Sequence, residues 1–259
     1  MTPRQGEEER AAAANFVAMK SALRVWPLLA LFLIGCSTSS ESDMDPSASS
    51  PNDPWAPLGR YLAARTAEFD AIPADRKAEL EAIGDFVKAA RDTGEAKLTF
   101  ICTHNSRRSH FGQVWAQVAA HHHGIDSLVT TYSGGTEATA MNPRAVAALR
   151  RAGLDVHPAL LSENPKYAVH YAPDRDPMVC FSKVYGDAET NPTSGFGAVM
   201  TCSQADKGCP LVYGSAARFS TPYVDPKVSD GTPDEIKTYD ERCAEIARDM
   251  LYAMSVAAR

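Results

Sequence analysis

The stretch Cys102-Thr103-His104-Asn105-Ser106-Arg107-Arg108-Ser109 gathers a thiol, two arginines, a histidine and three hydroxyls within one short run. The apolar residues 97–102 in front of it read as a short strand, and a helix begins near Arg107 and reaches about His121. The loop between them therefore joins the carboxyl end of a strand to the start of a helix. Such a junction aims free backbone N–H groups and the positive helix end at one point, a site for a tetrahedral oxyanion. A thiol in that field is drawn toward thiolate and becomes a nucleophile. Arg108 can grip two oxygens of the anion with its planar fork, and Ser109 can donate a hydrogen bond to the sulfur. Cys102 is thus the candidate nucleophile. Thr103, His104, Asn105, Ser106, Arg107, Arg108 and Ser109 are the candidate oxyanion-binding residues.

A second sulfur pair follows in Met200-Thr201-Cys202-Ser203-Gln204-Ala205-Asp206-Lys207-Gly208-Cys209-Pro210, where a buried strand, 197–202, ends at Cys202. Further strands are expected at 127–133 and 218–224, with helices through 142–151 and 233–256. Strands that alternate with helices imply βαβ units and a parallel sheet, hence an α/β fold whose ligand sits beyond the carboxyl ends of the strands. Residues 56–93 carry helical spacing, broken at Pro73 and closed at Gly94, and form a helical extension. Residues 158–195 are polar and Pro-punctuated and read as an inserted loop.

These residues resemble the low-molecular-weight protein tyrosine phosphatases and the related thioredoxin-coupled arsenate reductases. The Cys-x5-Arg-Ser loop after a strand, Ser133-Gly134-Gly135-Thr136, Asn142-Pro143 with Gly153-Leu154-Asp155, and Asp225-Pro226 follow in the family's order over residues 97–257. The resemblance implies a flavodoxin-like three-layer fold with a four-stranded parallel sheet in residues 95–259, with the helical extension of 55–94 before it. It also implies that Asp225 is the general acid. Residues 201–210 resemble the redox segment of the arsenate reductases. Cys202 would then resolve the Cys102 adduct, and Cys209 would pass the disulfide to a thioredoxin-like reductant. No cofactor is implied. Two features depart from the family: His104 stands for a Gly, and Arg107 for a second Cys found in many members. After Asp225-Pro226 comes Lys227-Val228-Ser229, without the aromatic pair that flanks phosphotyrosine. The sulfur pair and this missing pair favour arsenate reduction, with phosphomonoester hydrolysis as the alternative. A static Cys202–Cys209 disulfide is the other reading of the pair.

Ahead of all this, Lys20 and Arg24 precede the apolar run 25–34 and Gly35-Cys36. A basic start and a short apolar stretch form a secretory signal. The ending Leu33-Ile34-Gly35-Cys36 resembles the lipobox of bacterial lipoproteins, which makes Cys36 the expected lipidation site and the cell envelope, facing the periplasm, the expected location. Residues 1–36 are the expected signal segment, with translation starting at Met19. A cleaved signal or an anchor helix is the other reading. The Ser-, Asp- and Pro-rich residues 37–54 are the expected tether between membrane and domain. The 259 residues carry a formal charge of -6, against the basic face that nucleic-acid binding requires. Six cysteines are too sparse for a disulfide scaffold. His121-His122-His123 is not expected to bind a metal, because neighbours on a helix point apart.

Overall fold

The computed structural model describes residues 53–208 and 211–259. Cys36, the expected signal and most of the expected tether fall outside the described residues, as do Cys209 and Pro210. In chain order the helices are α1 (Ala56–Thr66), α2 (Ala74–Lys88), the short α3 (Ala90–Thr93), α4 (Arg108–His122), α5 (Pro143–Arg151), α6 (Ser203–Gly208) and α7 (Glu235–Ala258). The strands are β1 (Ala96–Cys102), β2 (Val129–Gly135), β3 (Asp155–Leu160), β4 (Lys166–His170), β5 (Met178–Cys180), β6 (Phe196–Met200) and β7 (Ser215–Ser220).

The apolar runs of β1 and β6 are continuous because these strands are central and covered on both faces. They lie within a four-stranded parallel sheet of order β2-β1-β6-β7, as the α/β expectation required. Leu98, Phe100 and Val199 face the larger core, shared with α1, α2, α4, α5 and α7. Ile101, Ala198 and Met200 face a smaller core that holds Cys102, Cys202, Ala205 and Val212. The helices of residues 56–93 therefore share the domain's principal core: Leu58, Leu62, Leu80, Ile83 and Val87 are all buried in it. Gly84 brings α2 close to α7, since a Cβ there would meet the Ala253 carbonyl oxygen at 2.6 Å.

Two expectations change. The fourth strand covers Ser215–Ser220 rather than 218–224; beyond it the Thr221 and Tyr223 N–H groups still donate to the Met200 and Thr201 carbonyls, and Pro222 between them has no N–H to give. Residues 158–195 are not simply a loop, because β3, β4 and β5 build a separate antiparallel sheet. Five of the six β3 residues are exposed, with only Val156 turned inward. The strand thus offers almost no apolar alternation to read. Among the described residues no helix is long and apolar enough to cross a membrane.

Candidate active site

Strand register brings the chemistry to one edge. Cys102, the last residue of β1, pairs with Gly135 at the end of β2. Ile101 pairs with Met200 of β6, and the Thr201 N–H donates to the Ile101 carbonyl at 2.8 Å. Cys102 and Cys202 thus leave neighbouring parallel strands at the same carboxyl edge, where strands stand about 4.8 Å apart.

From Cys102 the chain turns sharply into α4. Asn105 makes the turn at φ 44°, the only non-glycine among the described residues with positive φ. Asparagine tolerates that region because its short side chain can bond locally. Here Asn105 Nδ2 donates to Ser109 Oγ at 2.8 Å, and Asn105 Oδ1 accepts the Lys183 N–H at 2.9 Å. Ser109 Oγ lies 3.1 Å from Cys102 Sγ. No acceptor among the described residues takes the backbone N–H of His104, Asn105, Ser106 or Arg107. Successive free amides around a left-handed residue form an anion-binding nest, and the α4 N-terminus lies at its end.

Outer contacts hold the loop. The Thr136 and Glu137 N–H groups donate to the Cys102 and Thr103 carbonyls at 3.1 and 3.0 Å. Ser106 Oγ donates to the Ala140 carbonyl at 2.7 Å. Gly135 is required here, since a Cβ on it would meet the Glu137 carbonyl oxygen at 2.2 Å and the Asn105 nitrogen at 2.7 Å. His104 is half-exposed and pairs with Glu137 at 3.0 Å.

Arg108 is buried. Its Nη1 donates to the Tyr223 carbonyl at 3.0 Å and its Nη2 to Asp225 Oδ2 at 2.7 Å. Its buried Nε has no hydrogen-bond partner among the described residues. Asp225 also accepts the Lys227 N–H at 3.1 Å as the cap of a 3-10 turn. Arg107 takes a different direction from that expected of an anion ligand. Its Nε donates to the Tyr239 hydroxyl at 2.6 Å and its Nη2 lies 3.3 Å from Asp230. Its cationic charge is therefore neutralised beside the loop, and its contribution to an anion is the backbone N–H.

Cys202 is fully buried in the smaller core with Cys102. Its Sγ accepts the Ala205 N–H at 3.3 Å in the first turn of α6 and lies 3.6 Å from Thr103 Oγ1. Cys180 and Cys243 are set apart by chemistry, because burial pushes both thiols up to about 12 and keeps them protonated.

Three supports escaped the sequence. Ser182 Oγ donates to the His104 carbonyl at 3.0 Å and also accepts the Thr139 N–H. Asn164 clasps Ser182 through two backbone bonds, at 2.6 and 3.1 Å. His110, on the first turn of α4, is buried with its Nδ1 3.3 Å from Ser133 Oγ. Burial, then the nearby Lys183 charge, pushes its pKa down to about 3, so the ring is neutral at physiological pH. Ser182 and Asn164 belong to the insertion, and no local pattern marks them. A helix-start histidine next to the anion motif was the one signal available for His110.

Residues 97–168 match the family described as low molecular weight phosphotyrosine protein phosphatase. An arsenate reductase of Bacillus licheniformis is 29% identical over 143 residues, 55% of this chain and 83% of that protein. An arsenate reductase 2 of Staphylococcus epidermidis is 28% identical over 147 residues, 54% of this chain and 88% of that protein. A low molecular weight protein tyrosine phosphatase structure from T. tengcongensis is 15% identical, with a TM-score of 0.41 over 62% of this chain and 99% of that one. Over these residues the chain is similar to the low molecular weight phosphotyrosine protein phosphatases and to arsenate reductases, all of them enzymes.

Proposed function

We propose that the chain is a thiol-dependent arsenate reductase. The observation that carries this reading is the buried Cys202, in one core cluster with Cys102 and in contact with Thr103 of the anion loop. Hydrolysis of a phosphate ester has no use for a second thiol there. Arsenate has the shape and charge of phosphate and fits the same nest. The Cys102 thiolate attacks arsenic, water leaves, and a sulfur–arsenic(V) bond forms. The Cys202 thiolate then attacks Cys102 Sγ. The sulfur–arsenic bond breaks, its electron pair stays on arsenic, and arsenite departs as As(III). The two thiols are left oxidised as a Cys102–Cys202 disulfide. Cys209 attacks Cys202, releases the Cys102 thiolate and presents the new disulfide to a dithiol donor of thioredoxin type. Residues 203–208 advance about 9 Å as helix, whereas bonded cysteines stand about 5.5–6 Å apart between Cα atoms. α6 therefore loosens during the transfer.

Asp225 favours the second reading, a phosphomonoesterase. Its carboxyl group is 2.7 Å from the Arg108 guanidinium; starting protonated, it would give that proton to the leaving oxygen as Cys102 forms a cysteinyl-phosphate, and end as the carboxylate. Supplying the protein with arsenate and a thioredoxin system, and separately with an aryl phosphate, tests both. Arsenite formation that Cys202→Ser abolishes, with any aryl phosphate hydrolysis unchanged by that substitution, supports reduction. Hydrolysis without any arsenite overturns it in favour of the phosphatase. If the Cys36 lipid anchor is present, the donor is an envelope protein; mass spectrometry of the mature N-terminus tests that location.

A further inference from the structure

Arg108 is held at the site by two groups, the Tyr223 carbonyl and the Asp225 carboxylate. Both belong to residues 221–225, which follow the last strand. The Thr221 and Tyr223 N–H groups still bond β6 and its exit, at the Met200 and Thr201 carbonyls. The outer side of the segment is braced by the helical extension. Arg76 of α2 donates from Nη2 to the Pro222 carbonyl at 2.8 Å. Its guanidinium carbon lies 5.1 Å from the centre of the Tyr223 ring. Its Nε is 3.8 Å from Asp249, a fully buried carboxylate of α7 that accepts the Tyr223 hydroxyl at 3.1 Å. One side chain thus engages the carbonyl, ring and hydroxyl partner of consecutive residues 222 and 223, two residues before Asp225.

We infer that Arg76 is a positioning residue for the anion site, holding residues 222–225 so that Tyr223 and Asp225 fix the Arg108 guanidinium beside the loop. The extension is then part of the site's architecture. The inference rests on the 102–109 loop being the anion site and not on which reaction follows. The Arg fork is suited to this bridging, because one planar group reaches a carbonyl, a carboxylate and a ring face at once.

The test uses the full chain and reads protection of Cys102 from iodoacetamide by inorganic phosphate, alongside turnover and the unfolding midpoint. Arg76→Met keeps the aliphatic stem and is expected to weaken phosphate protection about tenfold, with kcat falling by a similar factor. Arg76→Lys keeps a charge near Asp249 but loses the second branch of the fork. It is expected to restore the midpoint while leaving protection at least about threefold weaker. Unchanged protection in Arg76→Met, or full recovery of protection together with the midpoint in Arg76→Lys, overturns the inference and leaves Arg76 a structural contact. Should Arg76→Met fail to fold, Arg76→Lys decides by the same criterion. Wild-type protein whose Cys102 is protected by phosphate but which turns over neither arsenate nor an aryl phosphate defeats the proposed function and leaves this test intact.

Discussion

The loop 102–109 and the segment 202–208 leave adjacent strands at one sheet edge, yet they are held in unlike ways. The loop is tied from several sides. Lys183 and Ser182 bond it from the insertion, Thr136, Glu137, Thr139 and Ala140 from the β2 exit, and Ser109 from its own helix. The thiol segment is a single helix of six residues, α6, of which only Ala205 is buried. Its outward tie is Asp206, paired with Arg218 at 2.6 Å and accepting from Ser220 at 2.9 Å. The two halves of the proposed reaction need this contrast. Capture of an oxyanion gains from donors fixed before the anion arrives, whereas disulfide transfer needs sulfurs that change partners.

The largest expected break in that contrast comes from the fixed side. Asn105→Ala places a Cβ residue without a local hydrogen bond at φ 44° and removes the bridge from Lys183 to Ser109. Turnover of any oxyanion substrate should fall about 100-fold. A loss below about threefold would mean that the loop keeps its shape without the bridge. On the α6 side, Gly208→Ala meets no atom within 4 Å and raises helix propensity. It should slow arsenate reduction about threefold and leave aryl phosphate hydrolysis alone, because only the former needs α6 to unwind. Equal effects on both rates would remove the distinction between the two regions.

The smallest effect concerns stability. His110 is held neutral in the fold with a pKa near 3, against an ordinary value of 6.5. The unfolded chain takes up a proton below about 6.5 that the folded chain refuses, so this group costs stability as pH falls from 6.5 toward 3, by up to about 1.4 kcal/mol per unit. Denaturant titrations of His110→Gln should therefore show a shallower loss from pH 6.5 to 4 than the wild type. Parallel curves would mean that the buried ring protonates without penalty.

How much of this was readable beforehand follows from the range of the interactions. β1, β6 and the anion loop were legible because their signals are local: an apolar run ending in a thiol, then an arginine and a serine at fixed spacing. The approach of Cys202 to the loop was legible only through the order of the motifs. Ser182, Asn164, Tyr223 and Arg76 were not, since each acts through a backbone carbonyl or amide far along the chain, and such contacts leave no residue pattern. Arg107 shows the converse: its place beside the anion motif does not reveal that its side chain bonds the distant Tyr239 and Asp230.

The most direct test of the relay is a trap. Cys209→Ser protein, fully reduced and mixed with one equivalent of arsenate without any donor, should release one arsenite and accumulate a Cys102–Cys202 disulfide detectable by peptide mass spectrometry. Arsenite release with both cysteines still reduced, or no disulfide after prolonged exposure to arsenate, would contradict the account.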